Sequence, residues 1–391
     1  MIKVSGNITI PKIDILYQEL NSIKSTDKSI DILLPKKIEK LNYGVLFSLI
    51  QFLATWVRSE KSGKLCLPIN NNEVIDYLNN NEFVYPSVVL SWEKEIIDLN
   101  GKSLKKELKN PSKKYFEKME FFELKGRSVP LYNFDHDKSS RGLSKHFYKN
   151  NRDLVSEESL GFNLFRAFQK IGSFNPSVFR KSVSPDLLDS FNGIIHELFA
   201  NTHEHAKTNE IGYNLYPNIR AIQLKFHTKP IKKFIELYQD SKGLVDYFNS
   251  KFNVNDAGDL YLIEISILDS GPGLAKRHKG ITEYDISISE EIEIIKECLY
   301  RHNTSAEGLR SEIKGIGLDR VLQAIDGKGF VRIKSGRADI FRDMKTQRYV
   351  HHNQASDIQL NDWKNNSTKD YTTCVPAEGT LISIFFPLEY N

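Results

Sequence analysis

Residues 194–206 read Ile194-Ile195-His196-Glu197-Leu198-Phe199-Ala200-Asn201-Thr202-His203-Glu204-His205-Ala206. On a helix, Glu197, Asn201 and His205 fall at i, i+4 and i+8 and project from one face. Ile194, Ile195, Leu198 and Phe199 occupy the other side as core. The spacing predicts a helix over 184–206, with Ser184 as cap and Pro185 in the first turn. A carboxylate and an amide one turn apart can share a divalent cation with phosphate oxygens, or position a water against them. The same pattern also serves as a plain polar helix face. A zinc-protease helix would need a second histidine where Ala200 stands. His203, Glu204 and His205 could join a metal site only by another geometry.

Outward from this helix, a strand over 260–268 ends in Asp269-Ser270-Gly271-Pro272-Gly273-Leu274. Gly-x-Gly after an aspartate lets backbone approach a flat ligand, with the carboxylate free to accept from an adenine amino group. An ordinary Gly-Pro turn is the plain alternative. Next, Lys314-Gly315-Ile316-Gly317-Leu318 opens a helix over 318–325. Its glycines expose amides to phosphate, the helix dipole adds attraction, and Lys314 supplies a point charge. The P-loop pattern Gly-x4-Gly-Lys-[Ser/Thr] is absent. Last, Gly379-Thr380 opens a closing strand that ends at Pro387.

Each segment has a structural explanation by itself; their order is more specific. It resembles the GHKL superfamily, the ATP-binding module of gyrase, the large heat-shock chaperone, histidine kinases and MutL, over residues 155–391. The separations from Asn201 to Asp269 and from Asp269 to Gly315 suit that family once an insertion is allowed. The resemblance implies an α+β fold, a two-layer α/β sandwich whose mixed sheet carries helices on one face, and binding of ATP with Mg2+. It implies that Glu197 polarises the attacking water, Asn201 holds the magnesium, and Asp269 reads adenine beside Gly271 and Gly273. Lys314, Gly315, Gly317 and Leu318 would hold phosphates, Thr380 would support the base through water, and His205 would join the nucleotide-binding residues. Thr304-Ser305 looks like the polar end of a mobile lid.

The end Asn201-Thr202-His203-Glu204-His205-Ala206 is closest to the histidine kinase and anti-sigma-factor serine kinase branch. Departures accompany it. Asp319 follows Leu318 where a small residue is usual. Only four residues follow Pro387, so no C-terminal transducer domain is expected. His196-Glu197-Leu198 resembles a phosphoacceptor start but lacks the downstream proline, and His136 and His146 lie in turn-rich sequence. The expected activity is an ATPase that couples nucleotide binding and hydrolysis to closure of a lid over 275–314 and to a protein partner or homodimer. A nucleotide-gated switch and a protein kinase acting on a partner are the alternatives.

Positions 1–150 carry no such motif. Strands are expected over 2–10, 29–34 and 64–69, and helices over 12–23, 43–57 and 73–78, which favours a parallel or mixed sheet. This order loosely resembles the STAS fold. The expected division is a regulatory or partner-binding α/β domain at 1–150 and an ATP-binding domain at 151–391, with insertions at 230–259 and 335–378. The boundary is expected near 135–155.

Composition agrees with a globular chain: 391 residues, 40% hydrophobic and 27% charged, which excludes disorder and collagen-like repetition. The longest uncharged stretch, 41–57, carries Asn42, Ser48, Gln51 and Thr55 and reads as a buried helix, so no membrane span is expected. No secretory leader is apparent, and three distant cysteines suggest a reducing cytoplasm. The net charge of +4 conceals an asymmetry: residues 1–150 hold 24 Lys/Arg against 18 Asp/Glu. Most of that excess lies in 101–150, where a nucleic-acid patch is one reading and a solvated helical face, favoured by interleaved glutamates, the other.

Overall fold

The computed structural model describes residues 1–22, 29–137, 142–150, 153–300, 317–351 and 354–389. In chain order the strands are β1 (Ile2–Lys3), β2 (Ile30–Leu33), β3 (Ser62–Cys66), β4 (Ile96–Ile97), β5 (Ser128–Asn133), β6 (Tyr148–Lys149), β7 (Asp153–Leu154), β8 (Arg220–Pro230), β9 (Asp259–Asp269), β10 (Phe330–Gly336), β11 (Ala338–Asp343), β12 (Asn361–Asp362) and β13 (Ala377–Leu388). The helices are α1 (Ile10–Ser22), α2 (Val45–Arg58), α3 (Val74–Asn80), α4 (Val84–Leu90), α5 (Lys105–Glu120), α6 (Glu157–Gly172) and α7 (Pro176–Ser182). They continue with α8 (Pro185–His205), α9 (Ile231–Leu237), α10 (Lys242–Asn249), α11 (Leu274–Lys279), α12 (Ile288–Leu299) and α13 (Gly317–Ala324).

Strands β1-β2-β3-β4 pair in parallel in that order, as strand–helix–strand units require. The larger sheet runs β12-β11-β10-β13-β9-β8-β5. The mixed α/β architecture agrees with the expected class. The expected mixed sheet does not: every pair in the larger sheet is antiparallel.

Helices cover both faces of this sheet, which corrects the two-layer expectation. Side chains alternate along β9 and β13. One face presents Ile263, Ile265 and Phe386 to α6 and α8, with Phe191 of α8 edge-on to Phe386 at 5.1 Å. The opposite face presents Glu264, Ser383 and Phe385. Tyr43, just ahead of α2, stacks on Phe385 at 4.1 Å, and Phe248 of α10 reaches it at 6.0 Å. A sheet whose central strands are buried on both sides needs a cover on both, and the first third of the chain supplies one of them.

That second face is polar, and its charges are paired as burial demands. Arg332 forks onto Asp339 at 2.8 and 2.6 Å, and Lys334 lies 3.5 Å from Asp14 of α1. Glu264 accepts from Gly44 N at 2.8 Å and pairs with His227 at 2.7 Å. The boundary expected near 135–155 does not separate the sheets, because β5 lies ahead of it and forms the edge of the larger one. Two expected insertions are also structured: 230–259 contains α9 and α10, and 335–378 contains β11 and β12. The expected strand over 2–10 shrinks to Ile2–Lys3. In the basic stretch, α5 buries Leu108, Tyr115, Phe116 and Met119 and exposes Lys106, Lys109, Lys113, Lys114 and Lys118, an amphipathic solvated face. Among the described residues, no helix is long and apolar enough to cross a membrane.

Candidate functional site

Helix α8 starts where its signals place it. Ser184 Oγ accepts from Leu187 N at 3.2 Å and Pro185 opens the first turn. Phe191, Ile194, Ile195, Leu198 and Phe199 are buried, and Glu197, Asn201 and His205 are half-buried on the other side. Ala206 follows the last turn. A Cβ added to Gly271 would lie 2.7 Å from Ala206 Cα, so only glycine lets the turn after β9 press against the end of α8.

That turn begins with Asp269, whose carboxylate accepts from Gly271 N at 2.8 Å. Across the sheet, Arg220, Asp269, Thr380 and Ser335 pair in one row, on four successive strands. Thr380 Oγ1 and Ser335 Oγ are 3.0 Å apart. Gly379, at φ 74°, sits so close to β9 that a Cβ would be 1.9 Å from the Asp269 carbonyl oxygen. Gly273, at φ 87°, leads into α11. Two of the sequence motifs therefore share a cross-strand row, with the end of α8 packed on one of them. Helix α13 packs against α8, which brings the end of the Lys314–Leu318 segment to the same layer. Lys314 and Gly315, with Thr304 and Ser305, fall outside the described residues; Gly317 and Leu318 open α13. The Asp319 carboxylate is taken up by Tyr349 Oη at 3.0 Å and Gln323 Nε2 at 2.7 Å.

Burial lifts the Asp269 carboxyl from 3.8 to about 6, against bonds from Gly271 and Thr380 and the charges of Arg58 and Arg220. Burial also raises Glu197, opposed by His196 and Arg320. Glu157, His196 and Glu197 each offer a ligand atom within 4.8 Å of the others. Arg320 of α13 already forks onto Glu157 at 2.9 and 3.2 Å, which balances that charge without an ion. The His203-Glu204-His205 metal reading gains no support. His203 Nδ1 lies 3.2 Å from Arg220 Nη1, and its Nε2 lies 3.0 Å from Lys207 Nζ. Burial and these cations push His203 down to about 4, so its surroundings repel a metal cation.

Sequence reasoning missed the contribution of α2. Gln51, Thr55 and Arg58 form a polar stripe at i, i+4 and i+7 on a helix otherwise largely apolar, and that stripe bonds to Ser270, Glu378 and Gly379, which flank Asp269 and Thr380 of the row. The signal was present: polar residues at helical spacing within a buried helix must find partners. Arg220 was missed because it lies in a strand of apolar character; it is fully buried and bonded to Asp135 and Tyr148. A cleft of about 500 Å³ opens beside Arg58, Lys94 and Tyr216 and contains none of the motif residues. Comparison of the chain with protein-family models, curated proteins and solved structures returned no match.

Proposed function

We propose that this chain binds ATP with Mg2+ on the α8 face of the larger sheet, in the manner of a GHKL module, and hydrolyses it. The observation that carries the reading is the Arg220–Asp269–Thr380–Ser335 row with the end of α8 pressed onto Gly271. A buried carboxylate beside two glycines, next to paired hydroxyls, suits a flat base with an exocyclic amine. Glu197 lies nine residues before Ala206, about 14 Å along the helix at 1.5 Å per residue. That separation is of the order of an extended nucleoside triphosphate, which would bring the terminal phosphate to the Glu197 end.

Asn201 stands between, half-buried and with an amide oxygen of the hard type magnesium accepts. Magnesium bound there would neutralise phosphate charge. Glu197, made more basic by its burial, is suited to accept a proton from water. Arg320, between Glu157 and the field of Glu197, can follow charge that moves during transfer. Thr380 and Ser335 would hold the adenine edge. The GHKL assignment, hydrolysis, and coupling to lid closure and a protein partner or homodimer are parts of this proposal. Over positions 1–150, the parallel strand order supports an α/β unit; a STAS-like role rests on that order alone.

The test is incubation of the full chain with γ-labelled ATP and Mg2+, with and without cell extract, following free phosphate and labelled protein separately. Free phosphate that disappears in Glu197→Ala supports hydrolysis. Label transferred to a protein would replace hydrolysis by a kinase, and tight binding with neither would leave a nucleotide-gated switch. Absence of nucleotide binding would overturn the reading altogether.

A further inference from the structure

The polar stripe of α2 goes to the two segments that make the proposed base pocket. Gln51 Nε2 lies 3.4 Å from the Lys334 carbonyl and 3.5 Å from that of Gly379. Thr55 Oγ1 accepts from Glu378 N at 3.0 Å. Arg58, the last residue of the helix, has a side chain only 9% exposed. Its Nε and Nη2 donate to the Pro217 carbonyl at 2.9 and 2.7 Å, and Nη2 reaches Ser270 Oγ at 3.1 Å. Its Nη1 donates to the Ser270 carbonyl and to Glu378 at 2.9 Å.

Ser270 stands between Asp269 and Gly271, and Glu378 immediately precedes Gly379-Thr380. One guanidinium thus ties the turn that carries the carboxylate to the strand start that carries the hydroxyl. We propose that Arg58 is a positioning residue for the nucleotide site, so that the first third of the chain completes the base pocket. This rests on the nucleotide reading given above. A planar fork with five donors fixes direction as well as distance, which a point charge does not. The pocket is thereby set before ligand arrives, and ordering cost at binding is reduced. A staple that only joined two layers could end on any loop, whereas each of Gln51, Thr55 and Arg58 reaches Ser270 or Glu378-Gly379, with Gln51 held also on Lys334 and Arg58 on Pro217.

Arg58 also acts on the charge of Asp269. Among the described residues, the charges that act most on this carboxylate are Arg58 of α2 and Arg220 of β8, the first paired with Glu378 and the second with Asp135. Both favour the ionised form, so removal of Arg58 moves protonation of Asp269 to higher pH.

The test is titration of the full chain with a fluorescent ATP analogue and Mg2+, from about pH 5 to 8, with thermal unfolding of each variant in parallel. Asp269→Asn should abolish binding; if it binds as wild type does, the nucleotide reading falls and this inference with it. With that control in place, Arg58→Gln should weaken binding about tenfold or more at the upper pH and move the acid limb of affinity upward by about half a pH unit or more. Thr55→Val, which keeps volume and removes no charge, should weaken binding several-fold and leave the limb where it is. Wild-type affinity and an unmoved limb in Arg58→Gln would reduce Arg58 to a structural staple. Should Arg58→Gln not fold, wild-type affinity in Thr55→Val would overturn the proposal instead.

Discussion

Replacement of Asp269 by asparagine should stabilise the free protein while removing the proposed nucleotide binding. The carboxyl is lifted from 3.8 to about 6 by burial, so its ionised form is disfavoured in the folded chain. Between those two values the folded state holds a proton that the unfolded state has lost. Stability therefore falls as pH rises through this window, and the full penalty is present above about pH 6. At about 1.4 kcal/mol per tenfold change in proton affinity, the penalty at neutral pH is about 3 kcal/mol. Asparagine avoids it and keeps an oxygen to accept from Gly271 N, but must seat an amide group among Thr380 and the two arginines. A net gain of about 1–3 kcal/mol is expected. With about 2.1 cal/mol/K of unfolding entropy per residue, 391 residues convert 2 kcal/mol into about 2–3 °C of Tm. Thermal unfolding of wild type and variant at about pH 7.5 and 4.5, without nucleotide, measures this; the gain should shrink at the lower pH. A lower Tm for the variant at the higher pH would refute the burial argument. Undiminished ATP binding would refute the role assigned to the carboxylate.

Other expectations follow from the same geometry. Glu197→Gln should retain ATP affinity and lose phosphate release by about a hundredfold or more, and the wild-type pH–rate profile should have its acid limb above the ordinary carboxylate range because burial raises Glu197. Gly379→Ala should destabilise by about 2–4 kcal/mol in urea unfolding, because it combines a left-handed backbone at φ 74° with a methyl 1.9 Å from the Asp269 carbonyl oxygen. Arg332→Met should cost about 3 kcal/mol by the same measurement, at the low end for a broken buried pair, since Lys334 remains 3.6 Å from Asp339.

Much of the site's scaffold was legible along the chain. Helix α8 carries its own start signal in Ser184-Pro185 and a 3.6-residue apolar period, so its polar face could be assigned without any partner. Strands β9 and β13 are long enough, and apolar enough, to be recognised as strands. Local backbone preference and burial agree there, and agreement of that kind is what sequence pattern reports.

Strand β5 was hidden because all six of its residues are buried although they include Ser128, Pro130 and Asn133, so neither alternation nor composition marks it. Strand β11, Ala338–Asp343, reads as polar sequence because Asp339 and Arg342 are inside; Asp339 is tolerated only because Arg332 meets it from β10. The second face of the larger sheet could not be foreseen for the same reason. A buried charge is stable only with its partner, and Lys334 finds Asp14 while Glu264 finds Gly44 N, both pairs joining opposite parts of the chain. Local period and capping were enough to place α8, the Asp269 turn and the Thr380 strand to within a few residues of their observed bounds. That α2 covers the sheet, and that Arg58 bonds Ser270 to Glu378, is visible only in the folded chain, because burial energy and hydrogen-bond satisfaction depend on which distant segments meet.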